Sequence, residues 1–145
     1  HELLYRSDRF SSIEMTDYLE QLLDELSSAY YETRVRVEVQ MDIDPMEVSI
    51  EIATPLGLIF NEAVTNAFKY AYGGREKGEL RISLKRQKNG LRCFTIADDG
   101  PGLPENWQEK AKTSLGFTLI ETLVQQIKGH LEVLGTEGTT LTITF

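Results

Sequence analysis

The sequence holds a single cysteine, Cys93, in 145 residues. An internal disulfide is therefore excluded, and the chain suits a reducing compartment. Cys93 sits in the strand-like run Cys93-Phe94-Thr95-Ile96-Ala97 and reads as a small core residue. No apolar run approaches the ~20 residues of a membrane span. A signal-peptide pattern is also missing, and the chain begins at His1 without a methionine, as an excised piece of a longer protein would. The expected setting is cytoplasmic, with an inner-membrane anchor in the parent chain left open. Positive charge is scarce: 15 Lys and Arg stand against 23 Asp and Glu, for a net charge of −8. A nucleic-acid surface would need a basic face, so the charge balance argues against that partner class; it does not argue against a phosphate site, which is local. Repeats and low-complexity tracts are absent. What is present is ordinary globular composition, 41% hydrophobic and 26% charged. The length suits one domain around one core.

Read along the chain, residues 1–8 resemble the last turns of a helix, followed by an irregular stretch at Ser11, Ser12 and Ile13. Thr16 is a plausible N-cap for a helix carrying Tyr18, Leu19, Leu22, Leu23 and Leu26 on one face. Val35, Val37 and Val39 alternate with polar residues as in a half-exposed strand, and residues 42–46 read as a turn. Val48, Ile50 and Ile52 predict a second short strand. Thr54-Pro55 then predicts the start of a long apolar helix, with Thr54 as N-cap and Pro55 in the first helical position, ended by Gly73-Gly74. Leu80, Ile82 and Leu84 form a strand that turns at Asn89-Gly90 into a return strand over residues 91–97. Residues 103–114 read as a polar connection and 115–127 as a helix stopped near Gly129. Residues 130–134 and 140–145 close the chain as two strands. The order predicts an α+β fold, a two-layer α/β sandwich with a mixed sheet covered by helices.

Two polar features interrupt this apolar framework. Glu62, Asn66 and Lys69 fall at i, i+4 and i+7 of the long helix, on one stripe. A solvated face would explain three such residues. Asn, however, is a poor helix former, and Asn and Glu carry oxygens of the kind that hold Mg²⁺ beside nucleotide phosphates. The second feature is Asp98-Asp99-Gly100-Pro101-Gly102, directly after a strand. Taken singly it is equally an Asp/Gly/Pro turn. Its glycines also permit tight positive-φ backbone, and its leading carboxylate is a hydrogen-bond acceptor.

Asn61-Glu62-Ala63-Val64-Thr65-Asn66-Ala67-Phe68-Lys69-Tyr70 followed by the D-x-G-x-G loop resembles the ATP site of the GHKL superfamily. That superfamily comprises sensor histidine kinases, gyrase-type topoisomerases, Hsp90 chaperones and MutL repair ATPases. The resemblance covers nearly everything from Met15 onward and implies ATP and Mg²⁺ as ligands. Carried over residue by residue, it implies that Asn66 supplies an oxygen to Mg²⁺. Glu62 would contact the metal or its waters, or act as general base. Lys69 would approach the phosphates and Tyr70 line the nucleotide pocket. Asp98 would bind the exocyclic amine of adenine, in a loop shaped by Gly100 and Gly102. Thr113-Ser114-Leu115-Gly116-Phe117 is similar to the kinase G2 box, whose amides face phosphate at a helix N-terminus. Here Ser114 stands where the first glycine is usual, able to offer its amide and hydroxyl, before Leu115 and Gly116. Residues 104–113 would be a short lid, with Trp107 its only aromatic and Lys110 and Lys112 within reach of phosphate or merely solvated. Thr139, in Gly138-Thr139-Thr140, would support the pocket floor.

Among superfamily members, the terminal strand and the N-A-x-K-Y sequence look like a histidine kinase catalytic domain. Leu3-Leu4-Tyr5-Arg6-Ser7-Asp8 looks like the exit from dimerisation helices in the short-lid subgroup of bacterial kinases. The division implied is residues 1–14 as the end of a dimerisation helix and linker, and 15–145 as the ATP-binding catalytic domain. His1 reads as part of the second dimerisation helix and His130 as structural, so the phosphoacceptor histidine would belong to the missing dimerisation domain. A response regulator is the further partner implied. Two rivals stand beside this reading: an anti-sigma-factor kinase that phosphorylates a partner's serine, and a non-catalytic ATP-sensing module.

Overall fold

A computed structural model describes residues 11–29 and 35–145. The helical turns expected over residues 1–8 lie outside the described residues. The elements run β1 (Ser12–Glu14), α1 (Met15–Ala29), β2 (Arg36–Ile43), β3 (Glu47–Ser49), α2 (Ile50–Tyr70), β4 (Lys77–Arg86) and β5 (Arg92–Asp98). They continue as α3 (Trp107–Ala111), α4 (Leu115–Gln126), β6 (His130–Leu134) and β7 (Thr140–Thr144). A five-stranded sheet in the order β2-β4-β5-β7-β6 is mixed, because β2 pairs with β4 in parallel and the other pairs are antiparallel. The α+β two-layer expectation holds.

The sheet is one-sided. Leu80, Ile82, Leu84, Phe94, Ile96, Leu141 and Ile143 are buried against the helices, while Arg81, Ser83, Thr95 and Thr142 alternate to the other face. From α2, Leu56, Ile59, Phe60, Ala63, Val64 and Ala67 meet this layer, and Ile120, Leu123 and Val124 of α4 pack beside them. Each such large apolar side chain contributes roughly 1.5–3 kcal/mol on burial. Cys93 departs from its expected place: Phe94 and Ile96 take the inward positions of β5, so the period of two turns Cys93 outward, half-buried, with its Sγ 3.8 Å from Thr95 Oγ1. His130 is exposed on the edge strand.

Several boundaries differ from the sequence expectation for local reasons. Ser12–Glu14 is not irregular but pairs antiparallel with Glu47–Ser49, placing Ile13 opposite Val48. Helix α1 starts one residue before the expected cap, because the Asp17 amide donates to Glu14 Oε2 at 2.8 Å and leaves Thr16 inside the helix. β2 runs on through Asp42 and Ile43, since its parallel register with β4 continues to Ile43 opposite Leu84. Helix α2 begins at Ile50, directly after the three-residue β3, with Ser49 at its N-cap position and Pro55 inside the helix. The alternation of Val48, Ile50 and Ile52 is too short to distinguish strand from helix. Pro55 removes one amide that would reach the exposed Glu51, near a helix start where water can satisfy the carbonyl. At its other end α2 stops at Tyr70, before Gly73-Gly74. The polar connection contains the short helix α3.

Candidate nucleotide site

Three chain reversals converge at the C-terminal end of α2: the segment after α2, the loop leaving β5, and the turn between β6 and β7. Their approach is close. A Cβ on Gly100 would lie 2.7 Å from Ala71 Cα, and one on Gly102 would lie 2.1 Å from the Gly135 carbonyl oxygen. Gly102 also adopts φ 81°, which favours glycine. Packing thus requires glycine at both expected positions, whereas turn geometry requires it at Gly102 alone; Gly100 does not take the positive φ expected of it.

Asp98 ends β5 opposite Leu80, just beyond the pairing of Ala97 with Thr140. Its amide donates to the Thr139 carbonyl at 3.0 Å. Its Oδ1 accepts from the Gly100 amide at 2.9 Å and from the Thr139 amide at 3.1 Å. That leaves Oδ2 as the acceptor without a hydrogen bond among the described residues, on a half-buried side chain that lines a cavity of about 570 Å³. Such a volume lies in the range of small-molecule sites.

The same cavity is lined by Glu62, Asn66 and Tyr70 of α2, by Gly102, by Ser114, Leu115 and Gly116 at the start of α4, and by Thr139. Lys69 is exposed and does not line it, and Gly100 acts from behind through its amide. The helical positions reaching the cavity are 62, 63, 66, 67, 70 and 71, a stripe that runs beside Lys69 rather than through it. Glu62 and Asn66 make no hydrogen bond or ion pair among the described residues. Glu62 Oε2 lies so close to α4 that a Cβ on Gly116 would meet it at 3.0 Å.

At the α4 N-terminus the sequence expectation needs one correction. The Ser114 amide is already committed to the Ala111 carbonyl at 3.0 Å, and Ser114 Oγ caps the helix by accepting from the Phe117 amide at 3.3 Å. The Leu115 and Gly116 amides are the first-turn donors that have no intrahelical acceptor. Together they form the anion-favouring end of α4.

The apolar walls were not legible beforehand. Leu103, Phe117, Ile120 and Leu141 line the cavity, and Trp107 joins them by packing edge-to-face on Phe117 at 5.7 Å between centroids. Of the two lid lysines, Lys110 lines this cavity and Lys112 an adjoining groove on the other side of Trp107. The α4 wall residues recur at helical spacing, but nothing local marks which face meets a ligand. Asp99, to which the sequence assigned no part, is the most heavily bonded side chain of the loop. The Arg75 guanidinium holds its carboxyl below the usual carboxylate range, and the Glu79 amide adds to the effect.

This arrangement matches a known family. Residues 51–145 match the model of the histidine kinase-, DNA gyrase B-, and HSP90-like ATPases. The chain belongs to that family. It is 30% identical over 148 residues to Blue-light-activated histidine kinase 2 of Erythrobacter litoralis, an alignment covering 98% of this chain and 42% of that protein. The chain thus spans less than half of that relative's length. It is 28% identical over 120 residues to the anti-sigma F factor of Priestia megaterium, covering 76% of this chain and 80% of that one. The histidine kinase domain of an Erythrobacter litoralis blue-light-activated histidine kinase superposes with a TM-score of 0.80 at 27% identity, over 92% of this chain and 61% of that one. Within this ATPase family the fold is that of histidine kinase catalytic domains, and the chain is a kinase-type ATP-binding domain. No helix among the described residues is long and apolar enough to cross a membrane.

Proposed function

We propose that the domain binds Mg-ATP and transfers the γ-phosphoryl group to a histidine on a separate phosphoacceptor domain of the same sensor kinase. The observation that carries this reading is the similarity to a histidine kinase along 98% of the chain, well beyond the ATPase segment. In this reading residues 1–14 are the end of a dimerisation helix and linker, the last three of them stitched to β3. A response regulator would receive the phosphoryl group afterwards.

Asp98 Oδ2 accepts a hydrogen bond from the adenine amino group, with Thr139 and Gly100 holding the carboxylate in place. Tyr70 and the apolar walls enclose the base. The Leu115 and Gly116 amides and the Lys110 ammonium face the phosphates, and Lys69, exposed beside the stripe, stays at the rim. Glu62 and Asn66 fit a magnesium ion: they are oxygen donors one helical turn apart, both line the cavity, and neither has a hydrogen-bond partner among the described residues. When bound, Mg²⁺ supplies charge neutralisation across the phosphates. The acceptor imidazole nitrogen attacks Pγ, its bond to the bridging oxygen breaks, and ADP leaves; Glu62 is placed to orient the nucleophile or take its proton. Positioning and charge, more than covalent work by the protein, drive such transfers.

The anti-sigma F similarity, which spans 80% of that protein, favours a second reading, in which a partner's serine accepts the phosphoryl group. Phosphate transfer from γ-labelled ATP into a chain extended upstream through its phosphoacceptor segment separates the two. Acid-labile, alkali-stable label supports histidine. Absence of label despite ATP binding counts against it and favours a serine acceptor or a nucleotide-sensing module.

A further inference from the structure

We infer that Arg75 and Asp99 form a positioning pair that sets the aim of the Asp98 carboxylate. The inference rests on the reading of Asp98 as the adenine acceptor and adds two residues that the D-x-G-x-G pattern leaves without a part.

The connection runs through one peptide group. Arg75 Nη1 donates to the Asp99 carbonyl oxygen at 2.9 Å. The amide on the other side of that peptide belongs to Gly100, and it donates to Asp98 Oδ1 at 2.9 Å. Because the peptide is planar and rigid, fixing its oxygen fixes the direction of its N–H. Arg75 therefore acts on Asp98 through a single rigid plane.

The guanidinium is itself held. Nη1 and Nη2 also reach Asp99 Oδ1 and Oδ2 at 3.1 and 2.9 Å, the two-pronged geometry that specifies orientation. Asp99 Oδ1 accepts in addition from the Glu79 amide at 3.0 Å, which ties the loop to β4 where β5 has left the sheet. The Arg75 guanidinium lies 5.9 Å from the centroid of the Tyr72 ring. Tyr72 is buried, and its hydroxyl donates to the Glu79 carbonyl at 2.7 Å. The clamp thus stands on a buried base, while its ion pair stays partly exposed, at 36% for Arg75 and 41% for Asp99. A pair so exposed adds little to global stability. Three hydrogen bonds from one arginine to one residue, aimed at the peptide behind the adenine acceptor, are better explained by alignment than by stability.

The test uses Arg75→Ala, Asp99→Asn, the double variant and the milder Arg75→Lys. Affinities for ATP and for its analogue lacking the 6-amino group are read by displacement of a fluorescent nucleotide, with thermal melts alongside. Each of Arg75→Ala and Asp99→Asn should weaken ATP by about tenfold, as small misalignments do, and the double variant should be no weaker than the worse single. Arg75→Lys should fall between. Binding of the analogue, which makes no amine contact, should hardly change, and neither should the magnesium dependence. Lowered melting points with unchanged ATP affinity would overturn the inference, as would equal losses for ATP and the analogue. Asp98→Asn separates the two levels. If it leaves ATP affinity intact, the adenine reading fails and the inference with it. If it abolishes the preference for ATP over the analogue while the Arg75 variants do not, only the positioning role is refuted.

Discussion

At the Asp98 end of the cavity Oδ1 of the carboxylate and the amides of Gly100 and Thr139 are already paired, and the neighbouring Asp99 is held by Arg75 and Glu79. At the Glu62 and Asn66 end, two oxygen-bearing side chains one helical turn apart have no hydrogen bond among the described residues. The base end is finished before a ligand arrives, so recognition there costs little reorganisation. The phosphate end is incomplete, and its unpaired oxygens and free amides are of the kind that a metal and an anion would satisfy. In the proposed reading, one cavity therefore combines a preformed selector with a site completed by its substrate.

The contrast can be broken at its open end first. Asn66→Ala should remove the magnesium-dependent part of ATP affinity, by roughly tenfold to a hundredfold given the 1.5–3 kcal/mol of a bond to a charged group. It should leave adenosine binding untouched, and a wild-type magnesium titration would count against the metal role. A smaller effect is expected from Gly116→Ala. The added methyl meets Glu62 Oε2 at 3.0 Å, so the carboxylate must move. Phosphoryl transfer should slow by a few-fold, in the range of small positional errors, with ATP affinity nearly unchanged.

At the closed end, Tyr72→Phe deletes the hydroxyl that bonds the Glu79 carbonyl, and urea unfolding should register a loss of about 1 kcal/mol. The smallest effect is on acid stability. Asp99 has its pKa lowered, first by Arg75, so its stabilisation is present above the ordinary carboxylate range and is lost as pH falls through the depressed value. Between about pH 5 and pH 2 the wild type should lose more stability than Asp99→Asn, by only a few tenths of a kcal/mol for so exposed a pair.

The sequence made the base end legible as residue types and the phosphate end as spacing. Asp98, Gly100 and Gly102 announced a tight loop after a strand, and Glu62 with Asn66 announced a polar stripe on an apolar helix. Lys69 lies beside Glu62 but at the edge of the stripe, because i+4 and i+8 turn from position 62 toward the cavity while i+7 falls on its other side. The Arg75–Asp99 link escaped because it joins residues 24 apart through a loop that no periodicity describes. The start of α2 was placed late because Thr54-Pro55 is a strong local signal, whereas the pairing of β1 with β3 that sets the true start is tertiary. The sheet was readable because the alternation in β4 and β5 is long and Leu80, Ile82, Leu84, Phe94 and Ile96 on its inward face are apolar; Asp98, next on that face, is the exception that lines the cavity.

Calorimetric titration of Mg-ATP into the wild type and Asp98→Asn tests the central claim most directly. In the variant the retained oxygen can keep the Gly100 and Thr139 bonds, but an amide nitrogen then confronts the adenine amine, donor against donor. The account predicts clear binding by the wild type and a loss of about a hundredfold in the variant with an unchanged melting point, as for a site whose acceptor is mismatched. Equal affinities in the two proteins would contradict it.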